Sequence, residues 1–142
     1  MQTPHHVLLA EANDSLRQRL CTALVDLGLT VDLSADGVDV IDKLDHHHYA
    51  VAIIDYTLPV VDGEAIIERV RLIPEAERPL MIITAQRGVT LALDHEIVQV
   101  VMRKPYDRRQ VADLIAACVR AMAEIGASRA RLRSSQPEAR PC

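Results

Sequence analysis

Residues 49–63 read Tyr49-Ala-Val-Ala-Ile-Ile-Asp55-Tyr-Thr-Leu-Pro-Val-Val-Asp-Gly63. The apolar run up to Ile54 is short and unbroken, as in a strand buried on both faces of a parallel sheet. Pro59 and the Asp62-Gly63 pair then force the chain to turn at once. Asp55 is thereby placed at the carboxyl end of a central strand, where open α/β sheets carry their chemistry.

On either side of this stretch, strand and helix patterns alternate. Val7 to Ala10 is a first apolar strand, followed by a helix that Asn13 or Asp14 can cap, with Leu16, Leu20, Ala23, Leu24 and Leu27 at helical spacing and Gly28 as its stop. Leu29 to Leu33 reads as a second, less buried strand. Asp36-Gly37 opens a helix with Val38, Ile41 and Leu44 on one face, and Ala50 to Ile54 is the third strand. Gly63 begins a helix carrying Ile66, Ile67, Val70 and Ile73, which Pro74 ends. Leu80 to Ile83 and Val98 to Met102 are the fourth and fifth strands, joined through a short or distorted helix between Gln86 and Glu96. Val111, Leu114, Ile115, Cys118, Val119 and Met122 mark the last helix. Five such alternations imply a doubly wound α/β domain: a five-stranded parallel sheet with helices on both faces. Residues 1–124 are expected to form this domain, and 125–142, rich in Arg, Ser and Pro, a mobile basic tail.

Composition narrows the function classes. With three Tyr, no Phe and no Trp, the core must be aliphatic and a base-stacking platform is absent. A net charge of −4 gives no overall electrostatic reason to bind nucleic acid; solvation is the default reading of the tail residues Arg129, Arg131 and Arg133. No apolar stretch approaches the roughly 20 residues that span a bilayer. The N-terminus lacks the pattern of a signal peptide, so a cytoplasmic protein is expected. Cys21, Cys118 and Cys142 have no ligand spacing and leave an odd thiol; Cys21 and Cys118, on apolar helix faces, read as buried reduced thiols. His46-His47-His48 and His5-His6 read as solvated, since adjacent histidines on a helix point apart.

Four strand ends should converge on one edge of the sheet, bringing Glu11, Asp55, Thr84-Ala85 and Lys104-Pro105 together. Two carboxylates, a hydroxyl and an ammonium suit phosphoryl transfer: the acids hold Mg²⁺, and the metal and lysine neutralise phosphoryl oxygens while Asp55 attacks phosphorus. At these residues the chain resembles the receiver domain of bacterial two-component response regulators, over about residues 5–124. Glu11, Asp55-Tyr-Thr-Leu-Pro-Val-Val-Asp-Gly63, Ile83-Thr84-Ala85 and Lys104-Pro105-Tyr106-Asp107 carry the likeness. The resemblance implies a flavodoxin-like strand order 2-1-3-4-5, with Asp55 as phosphoacceptor, Lys104, Thr84 and Ala85 at the phosphoryl group, and Thr84 as switch hydroxyl. It further implies a metal site of Glu11, Asp55 and the Thr57 carbonyl, and a cis bond before Pro105.

Three positions depart from the family pattern. Ala12 stands where a second acidic residue usually follows the first, so the Mg²⁺ site is expected to be weakened. Val101 stands where a switch aromatic usually sits, and a valine has one stiff torsion and no ring to swing. The stretch from Thr84 to Lys104 is short and lacks the usual turn before strand five, so the fourth helix, part of the family's output face, is expected to be altered. The resemblance implies a stand-alone receiver phosphorylated by a histidine kinase or phosphotransfer protein, signalling through protein contacts, with a homodimer through the helix-four to helix-five face as one arrangement. It would act on no outside substrate. The alternative is a pseudo-receiver used as scaffold or adaptor, favoured by Ala12 and Val101. Flavin binding shares the architecture but needs a phosphate-cradling loop after strand one and aromatics that this chain lacks.

Overall fold

The structure is a computed structural model, and it describes residues 6–135. Five strands, β1 (His6–Ala10), β2 (Thr30–Ser34), β3 (Val51–Asp55), β4 (Leu80–Gln86) and β5 (Val98–Lys104), form one parallel sheet in the order β2-β1-β3-β4-β5. Among the described residues four α-helices connect or follow them, α1 (Asp14–Asp26), α2 (Gly37–His46), α3 (Gly63–Arg71) and α4 (Arg108–Ser135), with one turn of 3-10 helix at Glu75–Glu77 before β4. The expected fold and strand order are both present.

The period of two along the strands sorts the core into two layers. Leu8, Ala10, Ala52, Ile54, Met81 and Ile83 face α2 and α3, where Val40, Leu44, Ile66, Ile67 and Val70 cover them. Val7, Leu9, Val51, Ile53 and Ile82 face α1 and α4 and meet Leu20, Leu24, Val111, Ile115 and Val119. β3 lies between β1 and β4 and is buried along its whole length, which is why its sequence shows no alternation. Edge strand β2 is only half-buried over most of its length.

Side-chain caps fix where the helices begin. Asn13, not Asp14, caps α1 by accepting from the Leu16 amide (2.9 Å), while Asp14 ion-pairs with Arg17 (2.6 Å). Asp36 and Asp62 accept from the Asp39 and Ala65 amides (2.9 and 3.0 Å), opening α2 and α3. On α2 the buried residues are Val40 and Leu44, whereas Val38 is exposed, so the face anticipated from Val38 is rotated toward solvent.

The stretch between β4 and β5 contains no helix. Its apolar residues Val89, Leu91 and Leu93 recur every two positions, an extended period, and pack as half-buried side chains on the α2/α3 layer. Val89 and Thr90 are β-branched and disfavour helix further. The helix-four to helix-five face anticipated for a homodimer therefore has only one helix, α4. Beside it, β5 bulges: Met81 pairs with Val98 but Ile82 with Val100, and the Gln99 side chain accepts from the Met81 amide (2.7 Å). Val101 lies opposite Ile83 with no helix above it and is 40 % exposed.

The anticipated tail boundary near residue 125 also shifts. α4 continues unbroken to Ser135, since Ala127, Arg129, Ala130, Arg131 and Arg133 are all good helix formers. Residues 136–142 and His5 lie outside the described residues. No helix among the described residues is long and apolar enough to cross a membrane.

The loop after β3 docks on the start of α2. The Gly37 amide donates to the Pro59 carbonyl (3.1 Å), and a Cβ at Gly37 would lie 1.8 Å from the Val61 carbonyl oxygen. Gly37→Ala should therefore lower the unfolding free energy by about 1–3 kcal/mol. A urea midpoint equal to that of the natural protein would show that the loop gives way freely.

Candidate functional site

The carboxyl ends of β1, β3, β4 and β5 meet at one edge of the sheet. Glu11, one residue past β1, is buried beside Asp55, the last residue of β3; Lys104 ends β5, and Thr84 pairs with Asp55 across the β3–β4 ladder. All four are at most 8 % exposed. The Lys104 ammonium donates to Glu11 Oε1 and to Asp55 Oδ2, the latter at 3.2 Å. A residue 93 positions away in sequence thus joins the two acids.

Every carboxylate oxygen of the pair has a donor. Glu11 Oε2 accepts from the Asn13 amide (3.0 Å), and Asp55 Oδ1 accepts from both the Thr57 amide and the Thr57 hydroxyl (3.1 Å each). Arg17 braces the site from α1 by donating to the Glu11 carbonyl (2.7 Å). The peptide bond between Lys104 and Pro105 is cis, as expected.

Burial and donors divide the two acids electrostatically. Burial raises the Glu11 pKa, opposed by the Asn13 amide and Lys104, and the neighbouring Asp55 charge adds to the rise. Burial also pushes Asp55 upward, but the Thr57 amide, Glu11 and Lys104 outweigh it, and its pKa is lowered. The groups around Asp55 thus favour its charged form, while burial and the Asp55 charge disfavour that of Glu11. Tyr106, half-buried over the same edge, is pushed up to about 12, by burial first and then by the Glu11 and Asp55 charges.

The sequence-derived residues therefore come together in most respects. Glu11, Asp55, Thr84 and Lys104 share the cleft; Ala85 sits at the same strand end, wholly buried in the α2/α3 layer, and offers no polar side chain. Thr57, anticipated as a carbonyl ligand, contributes its amide and hydroxyl to Asp55. Asn13 and Arg17 were not anticipated. Their signal was their place in the first turn after Glu11, a turn read only for its cap.

Among the described residues no group of three His, Cys, Asp or Glu is placed to hold a metal ion. The donor set still fits a hard divalent cation in reduced form. Glu11 and Asp55 supply two carboxylates, and Mg²⁺ commonly binds through one or two carboxylates while retaining waters. Outside the site, His6 pairs with Asp32 (2.9 Å), which also accepts from the Tyr49 hydroxyl (2.6 Å), and His46 is solvated.

The loop after Asp55 carries backbone strain. Val60, 82 % exposed, has φ +71°, a left-handed conformation that β-branched residues rarely adopt. Such strain concentrates at functional sites.

Comparison with known proteins agrees with this geometry. The response regulator receiver domain profile matches residues 7–116. Response regulator ArlR of Staphylococcus aureus is 30% identical over 121 residues, covering 80% of this chain and 52% of that protein. The peroxide stress-activated histidine kinase mak3 of Schizosaccharomyces pombe is 28% identical over 118 residues, covering 77% of this chain and 5% of the kinase. The chain thus spans about half or less of the length of these relatives. Among solved structures, the signal receiver domain of a putative Luxo repressor protein from Vibrio parahaemolyticus superposes with TM-score 0.78 at 18% identity, covering 90% of this chain and 98% of that one. The receiver domain of sensor histidine kinase PA1611 from Pseudomonas aeruginosa PAO1, with magnesium coordinated in its active site cleft, superposes with TM-score 0.66 at 24% identity, covering 81% and 97%. With its profile match, strand order and cleft of acids and lysine, this chain belongs to the response regulator receiver domain family.

Proposed function

We propose that the chain accepts a phosphoryl group on Asp55 from a phosphohistidine of a histidine kinase or phosphotransfer protein. It passes the signal on by protein–protein contact in the cytoplasm and transforms no outside substrate. The observation that carries this reading is the buried Asp55 carboxylate held 3.2 Å from the Lys104 ammonium, with Glu11 on the same ammonium.

In the transfer, an Asp55 oxygen forms the new P–O bond as the P–N bond to the donor imidazole breaks. The electron pair stays on the imidazole nitrogen, which then takes a proton from solvent. Lys104 is already placed to meet a phosphoryl oxygen as negative charge shifts toward the transferred group. Thr84, on the neighbouring strand end, is placed to offer its hydroxyl to another. Thr57 holds Asp55 Oδ1 and so orients the carboxylate for attack. Glu11 and Asp55 would hold Mg²⁺, which would supply the remaining neutralisation of phosphoryl charge. With one fewer carboxylate than the family pattern, at Ala12, its affinity is low.

The test is incubation with acetyl phosphate and Mg²⁺ followed by intact mass measurement. A gain of one phosphoryl group that Asp55→Asn abolishes is the expected result. No gain at any Mg²⁺ concentration would replace this reading with a second one, a scaffold held in one conformation. That reading is favoured by Ala12, Val101 and the lack of a helix between β4 and β5.

A further inference from the structure

We infer that Tyr56 couples the state of Asp55 to the β4–β5 loop, residues 87–97, and that this loop is the output element of the domain. The inference rests on the reading of Asp55 as phosphoacceptor. Val101 cannot serve as a rotating aromatic, and the surface above it carries an extended loop in place of a helix. A different physical link between site and surface is visible in Tyr56.

Tyr56 follows Asp55 directly, so its peptide lies between the phosphoacceptor and Thr57, whose amide holds Asp55 Oδ1 at 3.1 Å. Its own amide donates to the Thr84 carbonyl (2.8 Å), tying it to the second residue expected to move. At its other end, the phenol oxygen accepts from the Ala92 amide (3.1 Å), in the middle of the loop. The ring is buried in the same apolar layer on which Val89, Leu91 and Leu93 pack.

Gly63 makes this position stiff. Its amide donates to the Tyr56 carbonyl (2.8 Å), and a Cβ there would lie 2.7 Å from Tyr56 Cα and 3.1 Å from the ring. The Tyr56 backbone is thus packed closely against the start of α3, and its ring is the part that reaches the loop. Other ties to the loop run from Arg103 to the Gln86 and Val89 carbonyls (2.9 and 2.8 Å) and from Arg71 to Asp94. Of these residues, Tyr56 alone is bonded to Asp55.

When Asp55 takes a phosphoryl group, its bonds to Thr57 and Lys104 must rearrange, and Thr84 is drawn to the new oxygens. Tyr56, held between both, moves with them, and the Ala92 hydrogen bond transmits that shift to the loop. The coupled element then has two arrangements that the site can bias.

The experiment is amide NMR of residues 87–97 in the natural protein and in Tyr56→Phe, each with and without acetyl phosphate and Mg²⁺, with intact mass recorded on the same samples. Asp55→Asn in both backgrounds serves as an independent perturbation of the site. The expected result is that loop resonances shift on phosphorylation and in Asp55→Asn, and that Tyr56→Phe removes both shifts while taking up phosphoryl groups to the same extent. Loop shifts that persist in Tyr56→Phe overturn the inference, as does a loop unmoved by either perturbation of Asp55. Absence of a mass gain would defeat the phosphoacceptor reading alone, and the Asp55→Asn pair then decides the coupling by the same two outcomes.

Discussion

Replacing Lys104 with methionine is expected to lower the unfolding free energy by about 3–5 kcal/mol near neutral pH, the usual cost of removing one partner from a buried ion pair. Lys104 is 8 % exposed and is the cation shared by Glu11 and Asp55, themselves 3 % and 4 % exposed. Without it, two buried carboxylates face each other with only neutral donors around them. The sign of the pH dependence follows. In the natural protein the Asp55 pKa is lowered, so its contribution to stability is present above its unfolded value and is lost as pH falls through the folded one. In Lys104→Met the lysine's part of that lowering disappears, and Glu11, already raised by burial, rises further. The folded pKa of each acid thus moves up relative to the natural protein, so the deficit should shrink as pH falls through the carboxylate range. Urea unfolding at a series of pH values checks this. A deficit that stays constant with pH would mean the loss comes from packing rather than charge. On the proposed function, phosphoryl uptake should also fall in this variant, because the ammonium proposed to meet the transferred group is gone.

What could be read from the chain differs by kind of residue. Glu11, Asp55, Thr84 and Lys104 were legible because each ends an apolar run, and in an open parallel sheet strand ends converge. The strand order came from resemblance, and the ladders bear it out. The β4–β5 segment was misread although Val89, Leu91 and Leu93 show their extended spacing plainly; five strand–helix alternations favoured a helix there over the local period. Val38 was placed on the buried face of α2 because it is apolar, yet the Asp36 cap sets a phase that buries Val40 instead. The described part of the tail, to Ser135, departs from expectation for the opposite reason. Its Arg and Ser content suggested disorder, while Ala and Arg at residues 127–133 sustain helix beyond the core. That these strand ends converge was legible, but the individual hydrogen bonds were not. Lys104 with both acids, and Tyr56 with Ala92, are tertiary pairings whose partners lie 36 to 93 positions apart.

Ala12→Asp is expected to tighten Mg²⁺ binding by at least about tenfold, since loss of a mere outer partner at a metal site costs roughly 10–100-fold. The charges explain the direction. With both acids ionised, Glu11, Asp55 and Lys104 give the cleft a formal charge of −1, weak attraction for a divalent cation. One more carboxylate directly after Glu11 doubles that charge and adds a hard oxygen ligand, the lever by which such sites tune affinity. Ala12 itself is exposed, so the substitution displaces no packed side chain. The metal-free variant should be less stable than the natural protein at neutral pH, because the added charge repels Glu11 and Asp55. Saturating Mg²⁺ should reverse that order, since a ligand bound only by the folded state raises its stability as the logarithm of one plus the ratio of its concentration to its Kd. Calorimetric titration gives the affinity, and thermal unfolding with and without Mg²⁺ gives the linked stability. If both proteins bind Mg²⁺ equally and melt alike, position 12 does not belong to the metal site.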